Sequence, residues 1–270
     1  MMTLNSFCAQ LLREIRKTRP LVHHLTNIVV ANDNANTMLS LGALPVMAYA
    51  REEVEEMVSQ AGALVVNLGT LTKELVESAL LAGRRANALG VPVILDPVGA
   101  GATYFRKESA LLFLREVKVA VLRGNVAEVR SLLGLSSRMR GVESGDNSWD
   151  HLSVAREAAQ QFALVVAVTG AIDYVSDGSR AIAVHNGHAL LTRVTGTGCM
   201  ATSLCGAFAA LKRDFLFSTA GALGFLGVCA EKSALHAHGP GSFRVALFDA
   251  MYNLQEEEFE KSLRLEVLEG

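Results

Sequence analysis

The feature that most constrains the fold is a regular alternation between short apolar runs and segments of helical periodicity. Between the runs, apolar residues recur every three or four positions, as in Glu52–Gln60 and Lys73–Leu89. Strands that alternate with helices predict βαβ units, whose parallel sheet is covered by helices on both faces. We therefore predict a three-layer α/β fold with a mainly parallel central sheet. The predicted strands are Leu21–Leu25, Pro45–Ala48, Leu64–Asn67, Pro92–Leu95, Val119–Leu122 and Leu164–Thr169.

The second half of the chain departs from this alternation. Tyr174–Ser176 and Ala181–Val184 flank an Asp-Gly-Ser turn, which predicts an antiparallel hairpin appended to the sheet. Gly134–Asp150 is polar and rich in Gly and Ser, and we interpret it as a loop. The chain is expected to end in helices without a further strand. Because no repeat or low-complexity segment marks a boundary, we expect one domain over residues 1–270.

Composition narrows the function classes. The net charge is -2 and Lys and Arg are scattered, so a nucleic-acid partner is not expected. The four cysteines form no CxxC pair and the N-terminus has no secretory pattern, which predicts reduced thiols and a cytoplasmic location. The apolar stretch Phe215–Ala237 contains Glu231 and Lys232, so we interpret it as buried helix that does not span a membrane.

Polar residues follow three of the predicted strands, at the edge where open α/β sheets bind ligands. Asp96 follows one strand; an aspartate there holds Mg²⁺ beside a phosphate or, equally well, caps a turn. Asn125-x-x-Glu128 follows the next, and this spacing is also that of a helix capping box. Thr169-Gly170 follows a third, where a hydroxyl contacts a phosphate or simply begins a turn.

The segment Thr195-Gly-Thr-Gly-Cys199 is the strongest signal for chemistry. Its two glycines let the backbone approach an anion closely, and the apolar run Met200–Leu211 that follows has helical character. Amides at the start of a helix form a site for phosphoryl oxygens. Cys199 would lie in the first turn, where we expect its thiol pKa to be lowered. The alternative is a glycine turn beside a buried cysteine.

Other classes of site find little support. No Gly-x-x-x-x-Gly-Lys-Ser/Thr motif is present, which excludes P-loop nucleotide hydrolases. Gly196-x-Gly198-x-x-Ala201 matches the loose dinucleotide fingerprint, but no strand with an acidic residue follows at the right distance. His23 and His24 are adjacent on a strand and face opposite ways, so we interpret both as packing residues.

Taken in order, these segments resemble the ribokinase-like superfamily, and within it the hydroxyethylthiazole kinase family. The resemblance also includes Pro20–Asn27, Asn32–Asn36 and Gly42–Met47, covers most of the chain, and weakens after about Leu211. It implies a ribokinase-like fold and ATP-dependent phosphorylation of the hydroxyl of 4-methyl-5-(2-hydroxyethyl)thiazole in thiamine salvage. It also implies a homotrimer whose active sites are shared between subunits.

The resemblance assigns roles to individual residues. It implies that the amides of Thr197, Gly198 and Cys199 hold the transferring phosphoryl group. The remaining expected roles are Asn27, Met47 and Gly196 for the thiazole alcohol, Arg123 and Thr169 for ATP phosphates, and Asp96 and Glu128 for Mg²⁺.

Position 199 leaves the base undecided. The superfamily usually has Asp where this chain has Cys199, and that Asp is regarded as the general base, whereas thiazole kinases typically carry Cys. Either the thiol accepts the proton of the substrate hydroxyl, or the helix amides and the metal provide most of the catalysis and the proton leaves late. The alternatives for function are a kinase for a pyrimidine alcohol or sugar, a related lyase that dehydrates a cofactor hydrate, and a non-catalytic nucleotide sensor.

Overall fold

A computed structural model describes residues 3–135, 139–140, 143–144 and 150–268. The helices in this part of the chain are α1 (Leu4–Thr18), α2 (Ala31–Leu41), α3 (Val54–Gln60), α4 (Lys73–Leu89), α5 (Tyr104–Glu116), α6 (Val126–Leu132), α7 (His151–Phe162), α8 (Thr197–Ala209), α9 (Phe215–Ala234), α10 (Pro240–Asn253) and α11 (Glu256–Ser262). The strands are β1 (Leu21–Leu25), β2 (Leu44–Val46), β3 (Ala63–Asn67), β4 (Val93–Asp96), β5 (Val121–Asn125), β6 (Met139–Arg140), β7 (Glu143–Ser144), β8 (Val165–Thr169), β9 (Asp173–Ser176), β10 (Ala181–Val184) and β11 (Leu265–Leu268).

One nine-stranded sheet organises the fold. Its strand order is β11-β10-β9-β8-β5-β4-β3-β1-β2. The strands from β8 to β2 are parallel, whereas β9, β10 and β11 pair antiparallel at the other side. The mainly parallel sheet and the appended hairpin are therefore both confirmed.

Helices cover both faces of this sheet, which confirms the three layers. Helices α1, α2 and α8 to α11 contribute to one hydrophobic core, and α3 to α7 contribute to the other. Side chains of a strand alternate between the two: Ile94 lies in the first core, while its neighbours Val93 and Leu95 lie in the second. The near-continuous apolar strands are explained by burial on both faces.

Three predictions about strands and loops require correction. The chain does not end in helices, because β11 pairs antiparallel with β10 at the sheet edge. Glu266 and Val267 of this short strand are exposed and only its ends are partly buried, so it lacks the apolar run by which buried strands are recognised. Strand β5 continues to Asn125, three residues beyond the predicted end. The predicted loop Gly134–Asp150 is wrong in part, because β6 and β7 pair antiparallel within it. Its residues 136–138, 141–142 and 145–149 lie outside the described residues.

Helix α9 is the only described segment that passes a test of length and apolarity for spanning a membrane, and 78% of its apolar window is buried inside the protein. It packs against α8 and α10, and its glycines let Cys8, Leu263 and Asn186 approach the helix backbone. A buried helix was predicted for this stretch, and α9 is one.

Candidate active site

The carboxyl ends of the parallel strands bring polar side chains to one edge of the sheet. Strand β3 ends in Asn67, β4 in Asp96, β5 in Asn125 and β8 in Thr169. Asn67 is in register with Asp96, and Asn125 with Thr169. Because parallel strands end together, residues that are far apart in sequence meet here.

Asp96 is the most buried carboxylate of this edge, with no exposed surface. Its Oδ2 accepts hydrogen bonds from Asn67 Nδ2 at 2.8 Å and from Thr202 Oγ1 at 2.7 Å. Its Oδ1 is buried and has no hydrogen-bond partner in the described protein. Burial raises the pKa of Asp96, although Arg123 opposes this. One oxygen is thus fixed by the protein, and the other is free for a ligand.

Asn67 was not singled out by the sequence, yet it connects three of the predicted site residues. Besides Asp96, its Nδ2 lies 3.2 Å from Cys199 Sγ, and its Oδ1 accepts from Asn27 Nδ2 at 2.8 Å. The available signal was its position at the end of a buried strand. Thr202, one turn into α8, was also missed, because a threonine in an apolar helix carries no distinctive sequence pattern.

Glu128 serves the capping box and the ligand-binding edge at once. Its Oε2 accepts the amide of Asn125 at 2.8 Å while the Asn125 side chain accepts the amide of Glu128, which completes the box. Its Oε1 accepts the amide of Gly99 at 2.8 Å and so holds the loop after β4. Burial, followed by the charge of Asp96, raises the pKa of Glu128 to about 7.

Arg123 lies between the carboxylates and the start of α8. Its Nη2 donates to Thr169 Oγ1 at 2.7 Å, and its Nη1 is 3.9 Å from Asp96 Oδ2. Gly198 leaves room for this side chain, because a Cβ there would lie 2.9 Å from Arg123 Nη1. The guanidinium and the helix N-terminus therefore face the same volume, and both favour an anion.

The turn before α8 requires glycine at its first position. Gly196 is the N-cap residue with φ +91°, and a Cβ there would approach Val30 Cγ1 to 2.5 Å. No side chain caps this helix, so the amides of Thr197, Gly198 and Cys199 keep their capacity to donate to a ligand. This is the geometry of an anion site.

The prediction of a lowered pKa for Cys199 is wrong. Burial, followed by the charge of Asp96, raises the pKa of the thiol to about 12. The amides of Asn67 and Asn27 donate to Sγ at 3.2 and 3.5 Å and oppose the rise, but they do not overcome it. The sequence places the cysteine at a helix start and does not reveal how deeply it is buried.

A cavity of about 560 Å³ leads away from the α8 turn. Arg123, Thr169 and Gly198 line it at one end, and apolar residues of α8 and α9 line the other. Asp173, which the sequence did not single out, also faces it; burial raises its pKa to about 6, and it accepts the amide of Gly170 at 2.9 Å. The volume falls in the range of small-molecule sites.

The structure brings most predicted site residues together, with one exception. Asn27 joins the cluster through Asn67 and Cys199, and Gly196 packs against Val30 in the segment that follows Asn27. Met47 follows the edge strand β2, is half-buried, and lies outside this hydrogen-bonded cluster.

The adjacent histidines of β1 are buried packing residues. His23 Nε2 contacts Ala48 O at 2.8 Å and His24 Nδ1 contacts Val22 O at 3.0 Å; burial lowers the pKa of both rings. Within the described residues no group of three or more His, Cys, Asp or Glu side chains could hold a metal ion. A cation at this edge would therefore bind to two carboxylates of the protein and to oxygens of water or of a bound substrate.

Comparison with known proteins identifies the family. The profile of the "Hydroxyethylthiazole kinase family" matches residues 12–257. The chain is 52% identical over 267 residues to "Hydroxyethylthiazole kinase" of Roseiflexus sp. (strain RS-1), covering 99% of this chain and 98% of that protein. It is 51% identical over 255 residues to the protein of that name from Methanocella arvoryzae, covering 94% and 96%.

Solved structures agree with these sequence matches. "Structure of hydroxyethylthiazole kinase protein from pyrococcus horikoshii OT3" superimposes with a TM-score of 0.90 at 46% identity, covering 97% of this chain and 99% of that one. A ribokinase-like superfamily protein from Enterococcus faecalis has a TM-score of 0.64 at 14% identity over 92% and 95% of the chains, which shows the common fold alone. These similarities extend over nearly the whole chain, and they agree with a site in which the α8 turn, Arg123 and two carboxylates meet at one sheet edge. The chain therefore belongs to the hydroxyethylthiazole kinase family.

Proposed function

We propose that this chain transfers the γ-phosphoryl group of ATP to the hydroxyl of the hydroxyethylthiazole alcohol, as a step of thiamine salvage. The observation that carries the proposal is the uncapped start of α8, which faces the cavity beside Arg123. An anion bound there lies within reach of the Asp96 and Glu128 edge. The relatives bear the name of a kinase for this alcohol, which supplies the substrate.

The cavity suggests how the two substrates approach each other. ATP occupies the volume lined by Thr169, Gly170 and the apolar residues of α9, with its phosphates toward Arg123 and α8. The alcohol lies on the Asn27 side of Cys199, together with Gly196 and Met47. This arrangement brings the hydroxyl and the terminal phosphate together at the α8 turn from opposite sides, so that positioning supplies much of the rate enhancement.

In the transfer itself, the alcohol oxygen bonds to the γ-phosphorus as the bond to the β-phosphate oxygen breaks. The amides of Thr197, Gly198 and Cys199 donate to the phosphoryl oxygens, and Arg123 balances the charge that develops on the leaving ADP. A loose transition state needs little help from a base, so the hydroxyl proton leaves late, to an oxygen of the transferred phosphoryl group and from there to solvent.

Cys199 is not the base in this mechanism. Burial raises the pKa of the thiol to about 12, so the thiol is protonated at pH 7. The sulfur instead accepts hydrogen bonds from two amides and packs beside the alcohol pocket. Because the thiol stays protonated, we expect Cys199 to contribute only modestly to the rate of phosphoryl transfer.

The carboxylates fit Mg²⁺, which we include in the proposal. The buried Asp96 Oδ1 has no hydrogen-bond partner, and such an oxygen suits a hard cation. Both oxygens of Glu128 already accept backbone amides, so Glu128 would hold the ion's water shell. Bound with ATP, Mg²⁺ would neutralise charge on the β- and γ-phosphates.

We also propose one kinase domain over residues 1–270 and a homotrimer in which neighbouring subunits share active sites. The continuous sheet, which uses residues from β1 to β11, supports the single domain. Ile28 and Val29 directly follow Asn27 and are 79% and 63% exposed, and Leu39 on α2 is 52% exposed. Apolar side chains at the mouth of the alcohol pocket are suited to contact with a second copy. A cytoplasmic location fits the four free cysteines.

An assay of ADP formation with three acceptors tests the function. Purified protein with Mg²⁺ and ATP is offered the thiazole alcohol, the pyrimidine alcohol of thiamine synthesis, or a hexose, and the product is identified by mass. We expect one phosphorylated thiazole per ADP and only slow turnover without an acceptor. Faster turnover of the pyrimidine alcohol or the hexose would contradict the assignment, as would ADP formation without a phosphorylated product.

A further inference from the structure

Asn67 is buried at the centre of the candidate site, and its side chain uses its whole hydrogen-bonding capacity. It is 1% exposed. Its amide nitrogen donates to Asp96 Oδ2 at 2.8 Å and to Cys199 Sγ at 3.2 Å. Its amide oxygen accepts from Asn27 Nδ2 at 2.8 Å and from the Gly69 amide at 3.0 Å. A primary amide has two N–H groups and two lone pairs, and all four are engaged.

The orientation of this amide is fixed by its neighbours. The Gly69 amide can only donate, so the Asn67 oxygen must face it. The nitrogen then faces Asp96 Oδ2, an oxygen that also accepts from Thr202. A flipped amide would set its N–H groups against the Gly69 amide and its oxygen against a carboxylate oxygen, which costs free energy at a buried position.

This fixed polarity is passed on to Asn27. Because the Asn67 oxygen accepts from it, Asn27 must present its Nδ2 to Asn67, and the same nitrogen lies 3.5 Å from Cys199 Sγ. Asn27 Oδ1 therefore points away from both groups, and no described residue donates to it. An oxygen that is free and directed in this way accepts a hydrogen bond from an O–H group.

We infer that Asn67 is a positioning residue that makes Asn27 an acceptor for the substrate hydroxyl and holds Asp96 through Oδ2, which leaves Asp96 Oδ1 without a partner among the described residues. The inference rests on the proposed function and deepens it. A hydroxyl that donates a hydrogen bond to Asn27 Oδ1 has its lone pairs directed elsewhere, toward the γ-phosphorus. One amide thus aligns the nucleophile and orients the carboxylate on which the charge of the transfer depends.

A double-mutant cycle between Asn67→Ala and Asn27→Ala tests the inference. Each single variant is expected to lower kcat/KM for the alcohol about 30-fold, since each removes a directed buried hydrogen bond. If Asn67 acts through Asn27, the double variant loses about 100-fold and not the product of about 1000-fold. Asn67→Ala should act mainly on kcat and change the KM for the alcohol by less than about threefold, because Asn27 still binds it without being aligned.

Two further variants keep the test decisive. Asn67→Ser keeps a small polar group at this buried position, but its hydroxyl is too short to bridge Asp96 and Asn27. It replaces Asn67→Ala if that variant does not fold, and it should keep the KM for the alcohol within about threefold of wild type while lowering kcat about tenfold. Asn87→Ala is the control. Asn87 forms hydrogen bonds with the Lys118 backbone near the opposite end of β4, and its loss should leave both constants within about twofold of wild type.

The outcomes separate the inference from the function that it deepens. Wild-type protein that does not phosphorylate the alcohol overturns both. Active wild type with additive single effects, or with Asn67→Ala at the wild-type rate, overturns the inference alone. A rise in the KM for ATP and for the alcohol together, with a lowered thermal midpoint, assigns Asn67 a structural role and likewise overturns it. Non-additive losses in kcat, with both KM values within about threefold of wild type in folded variants, support it.

Discussion

Replacing Glu128 with Gln perturbs the candidate site with little change of shape. The carboxylate is 4% exposed, and its two oxygens accept the amides of Gly99 and Asn125, each at 2.8 Å. A glutamine offers one oxygen and one NH₂ group, so one of these amides loses its acceptor. That loss destabilises the fold by about 1–3 kcal/mol at every pH.

The charge of Glu128 acts in the opposite direction and depends on pH. Burial and the charge of Asp96 raise its pKa from 4.5 to about 7. A carboxyl group whose pKa is higher in the folded state contributes stability below pH of about 4.5, and this contribution is lost as the pH rises through about 7. The shift corresponds to about 3 kcal/mol between these limits. The variant has no carboxyl group at position 128 and lacks this part of the pH dependence, whereas Asp96 remains in both proteins.

Urea denaturation of both proteins at pH 5 and pH 8, with a chelator present, measures the difference. We expect the free energy of unfolding of Glu128→Gln, relative to wild type, to be about 2–3 kcal/mol higher at pH 8 than at pH 5, so that the variant is relatively more stable at the higher pH. Turnover should fall about 100-fold while the protein stays folded. Glu116→Gln, which changes an exposed carboxylate paired with Arg84, is the control and should show neither effect.

Two results would refute this reasoning. A difference in unfolding free energy that is the same at both pH values would mean that Glu128 does not carry the buried charge. Unchanged turnover in a folded variant would remove Glu128 from the mechanism. The two measurements are independent, because the first needs no substrate and the second needs no titration.

Three further substitutions test the α8 turn. Cys199→Ser should keep kcat within about tenfold of wild type, because a thiol that is protonated at neutral pH is not the base; a loss of about 1000-fold would contradict this. Gly198→Ala should raise the KM for ATP more than that for the alcohol, since its Cβ would lie 2.9 Å from Arg123 Nη1. Gly196→Ala should lower the free energy of unfolding by about 2 kcal/mol, measured by urea denaturation, because φ is +91° and the Cβ meets Val30.

The sheet and the edge where the polar residues meet were predictable from the sequence. Apolar runs of strand length alternate with helical periodicity, and the polar residue at the end of each run lies at the ligand-binding edge. Asp96 and Thr169 end their strands, and Gly196 begins a helix. These are local signals, because each depends on a few neighbouring residues and on the rule that parallel strands end together.

The hydrogen-bonded cluster was not predictable in the same way. Asn67 and Thr202 have no distinctive local pattern, and their roles arise only because β3, β4 and α8 meet. The pKa of Cys199 was predicted in the wrong direction, since its position at a helix start is visible in the sequence and its burial beside Asp96 is not. Strand β11 was missed because it is short, exposed and held by pairing with β10 alone.

The two alternatives for Asn125-x-x-Glu128, a capping box or a functional site, turn out to be compatible. The box exists, and it holds Glu128 where the charge of Asp96 raises its pKa. Among the described residues, Arg123 is the cation that lowers the pKa of both carboxyl groups, so the two buried carboxylates at this edge outnumber their counter-charge. A divalent cation bound there would lower both pKa values and recover the stability that the buried charges cost. The capping box thus holds the buried carboxylate of Glu128 beside Asp96. This arrangement lowers the stability of the free protein, and a bound metal–nucleotide complex would stabilise it.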